Sequence, residues 1–142
     1  MTLSLSDYRQ LAAFRHQLRL FLHFSESQAR EHGLEPQQHQ ALLALKGMPE
    51  GRRPTIGDLA ERLLLRHHTT VELVNRLESA GLVRRRPGTE DRREILLHLT
   101  AKGSRKLASL SVAHQEELRI KGPELALALG GFLRQSAPPE VL

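Results

Sequence analysis

The 142-residue chain carries 39% hydrophobic and 4% aromatic residues, enough apolar side chains for the core of one domain. It has no cysteine, which excludes disulfides, thiolate zinc sites and thiol redox sensing, and no apolar run approaches the ~18 residues needed to span a bilayer. The formal net charge of +5 is local, because residues 52–106 hold 13 Lys/Arg against 7 Asp/Glu while the remainder holds 8 against 9. A localised basic surplus marks a surface for a polyanion. The opening Met1-Thr2-Leu3-Ser4 does not read as a signal peptide, so a cytoplasmic location without membrane association is expected.

In chain order, Ser6 is a plausible N-cap, with Asp7 in the first turn of a helix running to about Arg30. Leu11, Phe14, Leu18, Phe21 and Ser25 recur at spacings of three and four, and Leu22 and Phe24 widen the stripe. Such a helix would be ~36 Å long at ~1.5 Å per residue, more than so small a core can cover. A second copy of the chain is the expected partner for its apolar side. Gly33 ends this helix and Pro36 begins the next, to about Lys46, with Ala41, Leu42 and Leu45 inward.

Residues 47–54 are loop by composition, and Thr55-Ile56-Gly57-Asp58 has the spacing of a capping box before a short helix. After the joint Leu64-Leu65-Arg66, another helix runs from about His67 to Ala80 and stops at Gly81. The period then changes to two. Leu82 to Arg86 and Arg93 to Leu99 read as strands around a polar turn, with Ile95, Leu97 and Leu99 on one side. Thr100 caps a further helix to about Lys121, Gly122-Pro123 is expected to break it, and a last helix runs to about Arg134. Residues 135–142 are expected to form a loose tail.

At ~100° per residue, Val71, Val74 and Leu77 face the core of the 67–80 helix, with Thr70 at their edge. His68, Glu72, Asn75 and Ser79 form the opposite stripe, flanked by Thr69 and Arg76 and preceded by Arg66 and His67. These are hydrogen-bonding side chains of the kind that reach base edges in a major groove. In the hairpin, Arg84, Arg85 and Arg86 meet Arg92 and Arg93. Five guanidinium groups repel one another unless an anion approaches, and Glu90 and Asp91 partly neutralise them.

The runs Gly57-Asp58-Leu59-Ala60-Glu61-Arg62-Leu63 and Val74-Asn75-Arg76-Leu77-Glu78-Ser79-Ala80-Gly81-Leu82-Val83 resemble the MarR family of bacterial regulators. So does Asp91-Arg92-Arg93 followed by Leu97-His98-Leu99-Thr100-Ala101-Lys102-Gly103. The resemblance implies one mostly α domain with a small β-hairpin wing: a winged helix-turn-helix over 36–99 and a helical dimerisation region over 6–33 and 100–134. It also implies a homodimer with a recognition helix in each major groove, Arg93 as the wing arginine and Asp91 as its supporting carboxylate. Two departures stand out. Leu64 occupies a turn position where glycine is frequent, and Glu72 puts an acid on the reading face, leaving the operator sequence open.

The double-stranded DNA contacts expected are Arg66, His67, His68, Thr69, Glu72, Asn75, Arg76, Arg85, Arg86, Asp91, Arg92 and Arg93, with Arg85 and Arg86 on phosphates together with Arg52 and Arg53. Many family members are released from DNA by small anions, so a small-molecule effector is an expected partner, with Arg15, Arg19 and His39 as its candidate contacts. None of the eight histidines forms the i, i+4 pair of a helical zinc clamp, and no nucleophile elbow or phosphate loop is present, so no metal, cofactor or enzymatic activity is expected. The readings are a sequence-specific repressor, with a protein-interaction module and a non-specific architectural DNA binder as alternatives.

Overall fold

The computed structural model describes residues 2–135; the expected tail, beyond Gln135, lies outside the described residues. Its elements are α1 (Leu5–Glu31), α2 (Pro36–Lys46), α3 (Ile56–Leu63), α4 (His67–Ser79), β1 (Val83–Pro87), β2 (Ile95–Leu99) and α5 (Ala101–Gln135). They fall into two compact units. One is Gln28–Ser111; the other joins the residues up to Ser27 to those from Val112 onward.

The unit Gln28–Ser111 owns the core. Leu42, Leu59, Leu73, Val74, Leu77, Leu82, Val83, Leu97 and Leu110 are fully buried there, supplied by every element from α2 to the start of α5. Thr70 is buried with them, and its hydroxyl donates back to the Arg66 carbonyl at 2.9 Å, so that hydroxyl is satisfied. The inward face of α4 is therefore Thr70, Leu73, Val74 and Leu77, while Val71, expected inward, is only half-buried.

The helix ends follow from short local rules. Glu35 and Gln38 form a reciprocal capping box at α2, behind Pro36 at the first helical position. Thr55 caps α3 by accepting the Asp58 amide at 3.1 Å, but the Asp58 carboxylate accepts from the Arg53 amide at 3.2 Å, so only half of the expected box forms. Gly33 and Gly81 take φ of +76° and +72°, letting Leu34 donate to Ala29 and Leu82 to Leu77, both at 2.9 Å. The same closure ends α3 with Leu64 at φ 57°, and Leu65 donates to Ala60 at 3.0 Å.

β1 and β2 pair antiparallel, with Val83 opposite Leu99, Arg85 opposite Leu97 and Pro87 opposite Ile95. Leu97 also donates to the Pro54 carbonyl at 2.7 Å, tying the loop before α3 to the hairpin. β1 is shifted by one residue from the expected Leu82–Arg86, β2 starts at Ile95 rather than Arg93, and Ile95, expected inward, is 48% exposed because it lies beyond the part of the hairpin that meets the helices.

Two further expectations are corrected. The cap of α1 is Ser4 rather than Ser6: the Ser4 hydroxyl accepts the Asp7 amide at 3.2 Å, and the Asp7 carboxylate accepts the Ser4 amide at 2.8 Å. Those bonds hold the Asp7 carboxyl below its usual range. Gly122-Pro123 does not separate two helices, because α5 runs through it to Gln135. Proline removes a single donor from the ladder, and the Leu- and Ala-rich residues that follow are strong helix formers.

In the second unit, Phe21 and Phe24 meet the His114 ring edge-on, with centroids 5.9 and 5.5 Å away, and the His114 Nε2 lies 2.8 Å from the Ser25 hydroxyl. In the same unit Leu11, Leu22, Val112, Ile120, Leu127 and Leu133 are exposed.

Candidate nucleic-acid interface

The α4 side chains expected to read DNA follow from the helix's burial pattern. With Thr70, Leu73, Val74 and Leu77 inward, His67, His68, Glu72, Asn75, Arg76 and Ser79 are exposed, and Thr69 is half-buried. Arg66 is the N-cap residue and is exposed, but its side chain makes no cap bond. Arg76 is partly engaged, its Nε donating to the Glu35 carboxylate at 3.2 Å.

The hairpin arginines divide by strand alternation. Arg84 and Arg86 lie on the outer side of β1 and are exposed. Arg85 shares its side with buried Val83 and is turned toward α4. Its Nη1 donates to the Glu78 carboxylate at 2.7 Å and its Nη2 to the Asn75 carbonyl oxygen at 2.8 Å. The other Glu78 oxygen accepts the Arg85 backbone amide at 3.4 Å. Arg85 was expected to face phosphate; its donors are instead largely engaged by α4, which fixes the hairpin to the exposed helix face.

At the hairpin tip the Arg93 side chain is 96% exposed. Asp91 accepts the Arg93 backbone amide at 3.0 Å, and the same oxygen lies 3.7 Å from the Arg93 Nε. The carboxylate thus supports the arginine without covering it. Arg92 is exposed beside them.

Arg52 and Arg53, expected on phosphates, are paired within the protein. Arg52 donates to Glu61 at 3.1 Å and to Asp58 at 3.5 Å, and the Glu61 bond and charge hold its guanidinium more firmly protonated than usual. Arg53 pairs with Glu94 and, at 3.4 Å, with Glu90, clamping the loop before α3 to the base of the wing. The sequence reading missed Glu78 and Glu94 as holders of the wing. Period-two alternation from buried Val83 already places Arg85 inward, and that was the available signal.

The expected effector contacts are divided between the two units. Arg15 and Arg19 are exposed on α1 in one unit, whereas His39 is 3% exposed on α2 in the other. A cavity of about 160 Å³ between α1 and α5 in the first of these units is lined by Gln17, Leu20, Phe21, Glu117, Lys121 and Leu125, and by neither arginine. Among the described residues no cluster of three or more His, Asp or Glu could hold a metal ion, and no helix is long and apolar enough to cross a membrane.

Residues 32–94 match the model of the MarR family. Over 65 residues the chain is 35% identical to the uncharacterised HTH-type transcriptional regulator YsmB of Bacillus subtilis, a match covering 46% of this chain and 44% of that regulator. Solved structures of the same fold include the following three. AbsC, a MarR family transcriptional regulator from Streptomyces coelicolor, has a TM-score of 0.71 at 24% identity, covering 95% of this chain and 97% of its own. A mutant of S. aureus MepR, bound to an oligodeoxyribonucleotide, has a TM-score of 0.66 at 17% identity, covering 87% and 95%. CouR from Rhodococcus jostii, bound to p-coumaroyl-CoA, has a TM-score of 0.70 at 22% identity, covering 99% of both chains.

Proposed function

Because residues 32–94 are a MarR-family winged-helix segment, we propose that this chain is a transcription regulator that binds double-stranded DNA sequence-specifically and works as a homodimeric repressor. The observation that carries the proposal is the bond set from Arg85 to Glu78 and Asn75, which joins the polar side of α4 to the arginine-bearing hairpin in one unit. The MepR structure bound to an oligodeoxyribonucleotide, which shares the fold, supports DNA as the target.

In this reading α4 enters the major groove with His67, His68, Thr69, Glu72, Asn75 and Arg76, and Arg66 meets the backbone at its start. The wing reaches the adjacent minor groove with Arg93, supported by Asp91, while Arg84, Arg86 and Arg92 meet phosphates. Arg85 positions the wing. Two copies would place half-sites ~34–36 Å apart on a near-palindromic operator. The exposed leucines of α1 and α5 support pairing of copies, since a face of that kind is costly to leave in water.

A small anionic effector is proposed on the likeness to CouR, with Arg15 and Arg19 as its exposed cationic contacts. His39 is buried on α2 and so is not one of the exposed contacts.

The test is a gel shift of the whole chain with duplexes selected from a random pool, in excess competitor DNA. A shift that competitor cannot abolish is expected. Equal binding to every duplex would leave an architectural DNA binder, and no binding at moderate salt would leave a protein-interaction module.

A further inference from the structure

The amide of Asn75 has a defined orientation, and chemistry fixes it. A guanidinium carries only donors, so the Asn75 atom 2.8 Å from the Arg85 Nη2 is its carbonyl oxygen. Arg85 cannot easily swing away, because Glu78 holds both its Nη1, at 2.7 Å, and its backbone amide, at 3.4 Å. The Arg85 side chain is also largely covered, at 24% exposure. What Asn75 presents outward from the exposed face of α4 is therefore the NH₂ group, two donors, beside a guanidinium already paired with Glu78.

That inventory selects among base edges. Asparagine reads adenine by accepting from N6 with its oxygen and donating to N7 with its nitrogen. Here the adenine amino group would have to share an oxygen already facing a cationic N–H. Guanine offers N7 and O6, both acceptors, and matches the donors. Thymine offers one acceptor, O4, and a poorer match.

We propose that Asn75 is a specificity-determining residue which reads guanine rather than adenine, because Arg85 occupies its carbonyl oxygen; this rests on the DNA-binding reading above. Arg85 then acts on the sequence preference without touching a base.

The experiment is selection from a random duplex pool with the whole chain and with Asn75→Ala, Asn75→Asp and Arg85→Met. For the parent, one position in each half-site should favour guanine over adenine about tenfold, and Asn75→Ala should abolish that preference. Asn75→Asp keeps an acceptor for Arg85 but deletes the donors, so it should abolish the preference while other positions keep theirs. This separates base reading from wing positioning. Arg85→Met frees the oxygen and should move the same position toward adenine; should that variant fail to fold, Asn75→Asp decides alone. Adenine in the parent at the position that Asn75→Ala relaxes, or a pattern that neither Asn75 variant changes, overturns the inference. A parent that enriches no sequence overturns the DNA-binding reading, and this inference with it.

Discussion

Gly103 lies against the Leu82 carbonyl so closely that a Cβ built on it would stand 2.2 Å from that oxygen. The approach is fixed from both sides. Thr100 donates through its amide to Leu82 at 3.0 Å and through its hydroxyl to Gly81 at 2.6 Å, and the hydroxyl accepts from Gly103 at 3.0 Å. The start of α5 is thereby fastened to the end of the α4 turn. The obstacle is backbone, not the tip of a flexible side chain. Gly103→Ala should therefore cost about 1–3 kcal/mol, the range for forced overpacking, read as a lower urea midpoint. An unchanged midpoint would show that α5 can shift at no cost.

Leu64 pays for the α3 turn with backbone strain and gains little in return, its side chain being 91% exposed. A left-handed non-glycine residue costs roughly 1–2 kcal/mol, while glycine loses about 0.4–1 kcal/mol through a freer unfolded chain. Leu64→Gly should stabilise by about 0.5 kcal/mol in chemical denaturation. Destabilisation would mean that the leucine makes a contact that its 91% exposure does not reveal.

Arg93 is the cleanest probe of the wing. With its side chain 96% exposed, Arg93→Ala should leave thermal stability and the oligomeric state unchanged. Operator affinity should fall, and if the contact is to phosphate the slope of log affinity against log salt should drop by about one. Parent-like binding across a salt series would remove Arg93 from the interface.

The first turn of α1 should respond to acid. Asp7 accepts from Ser4, which holds its carboxyl below the ordinary value, so the capping bonds stabilise the folded form above the unfolded value near 3.8. That contribution is lost as pH falls through the lower folded value. Amide exchange at the start of α1 should accelerate in that acid window, and Asp7→Asn should blunt the dependence. The same acceleration in Asp7→Asn would assign the effect to other groups.

How much of this was legible beforehand varies with the range of the interaction involved. The helix-turn-helix and the hairpin could be read because their signals are local: Pro36 at a helix start, Gly33 and Gly81 at positive φ, Thr55 as a cap, and a change of period after Gly81. The α1 cap and the continuity of α5 were misjudged. Ser4 and Ser6 are equally good caps until the bond from Asp7 selects one, and a proline breaks a helix only when the neighbouring residues do not sustain it.

At the interface, residue types and periodicity were enough to mark the polar side of α4 and the basic hairpin, since both depend only on which neighbours in sequence are apolar. The state of each arginine was decided by tertiary structure. Arg52, Arg53 and Arg85 look like Arg84, Arg86 and Arg93 in the sequence, yet the first three are hydrogen-bonded to carboxylates, whereas Arg84, Arg86 and Arg93 are exposed, Arg93 with only a 3.7 Å approach from its neighbour Asp91.

Composition and local pattern thus determine that a positive hairpin follows a polar helix. Packing decides which guanidinium groups remain available, because an ion pair depends on a few ångströms of space between residues far apart in the chain, such as Arg53 and Glu94. One such bond, from Arg85 to Asn75, turns an amide able to read two edges into a donor. A reading in which Asn75 prefers adenine would show that the folded arrangement has no such influence on what the helix recognises.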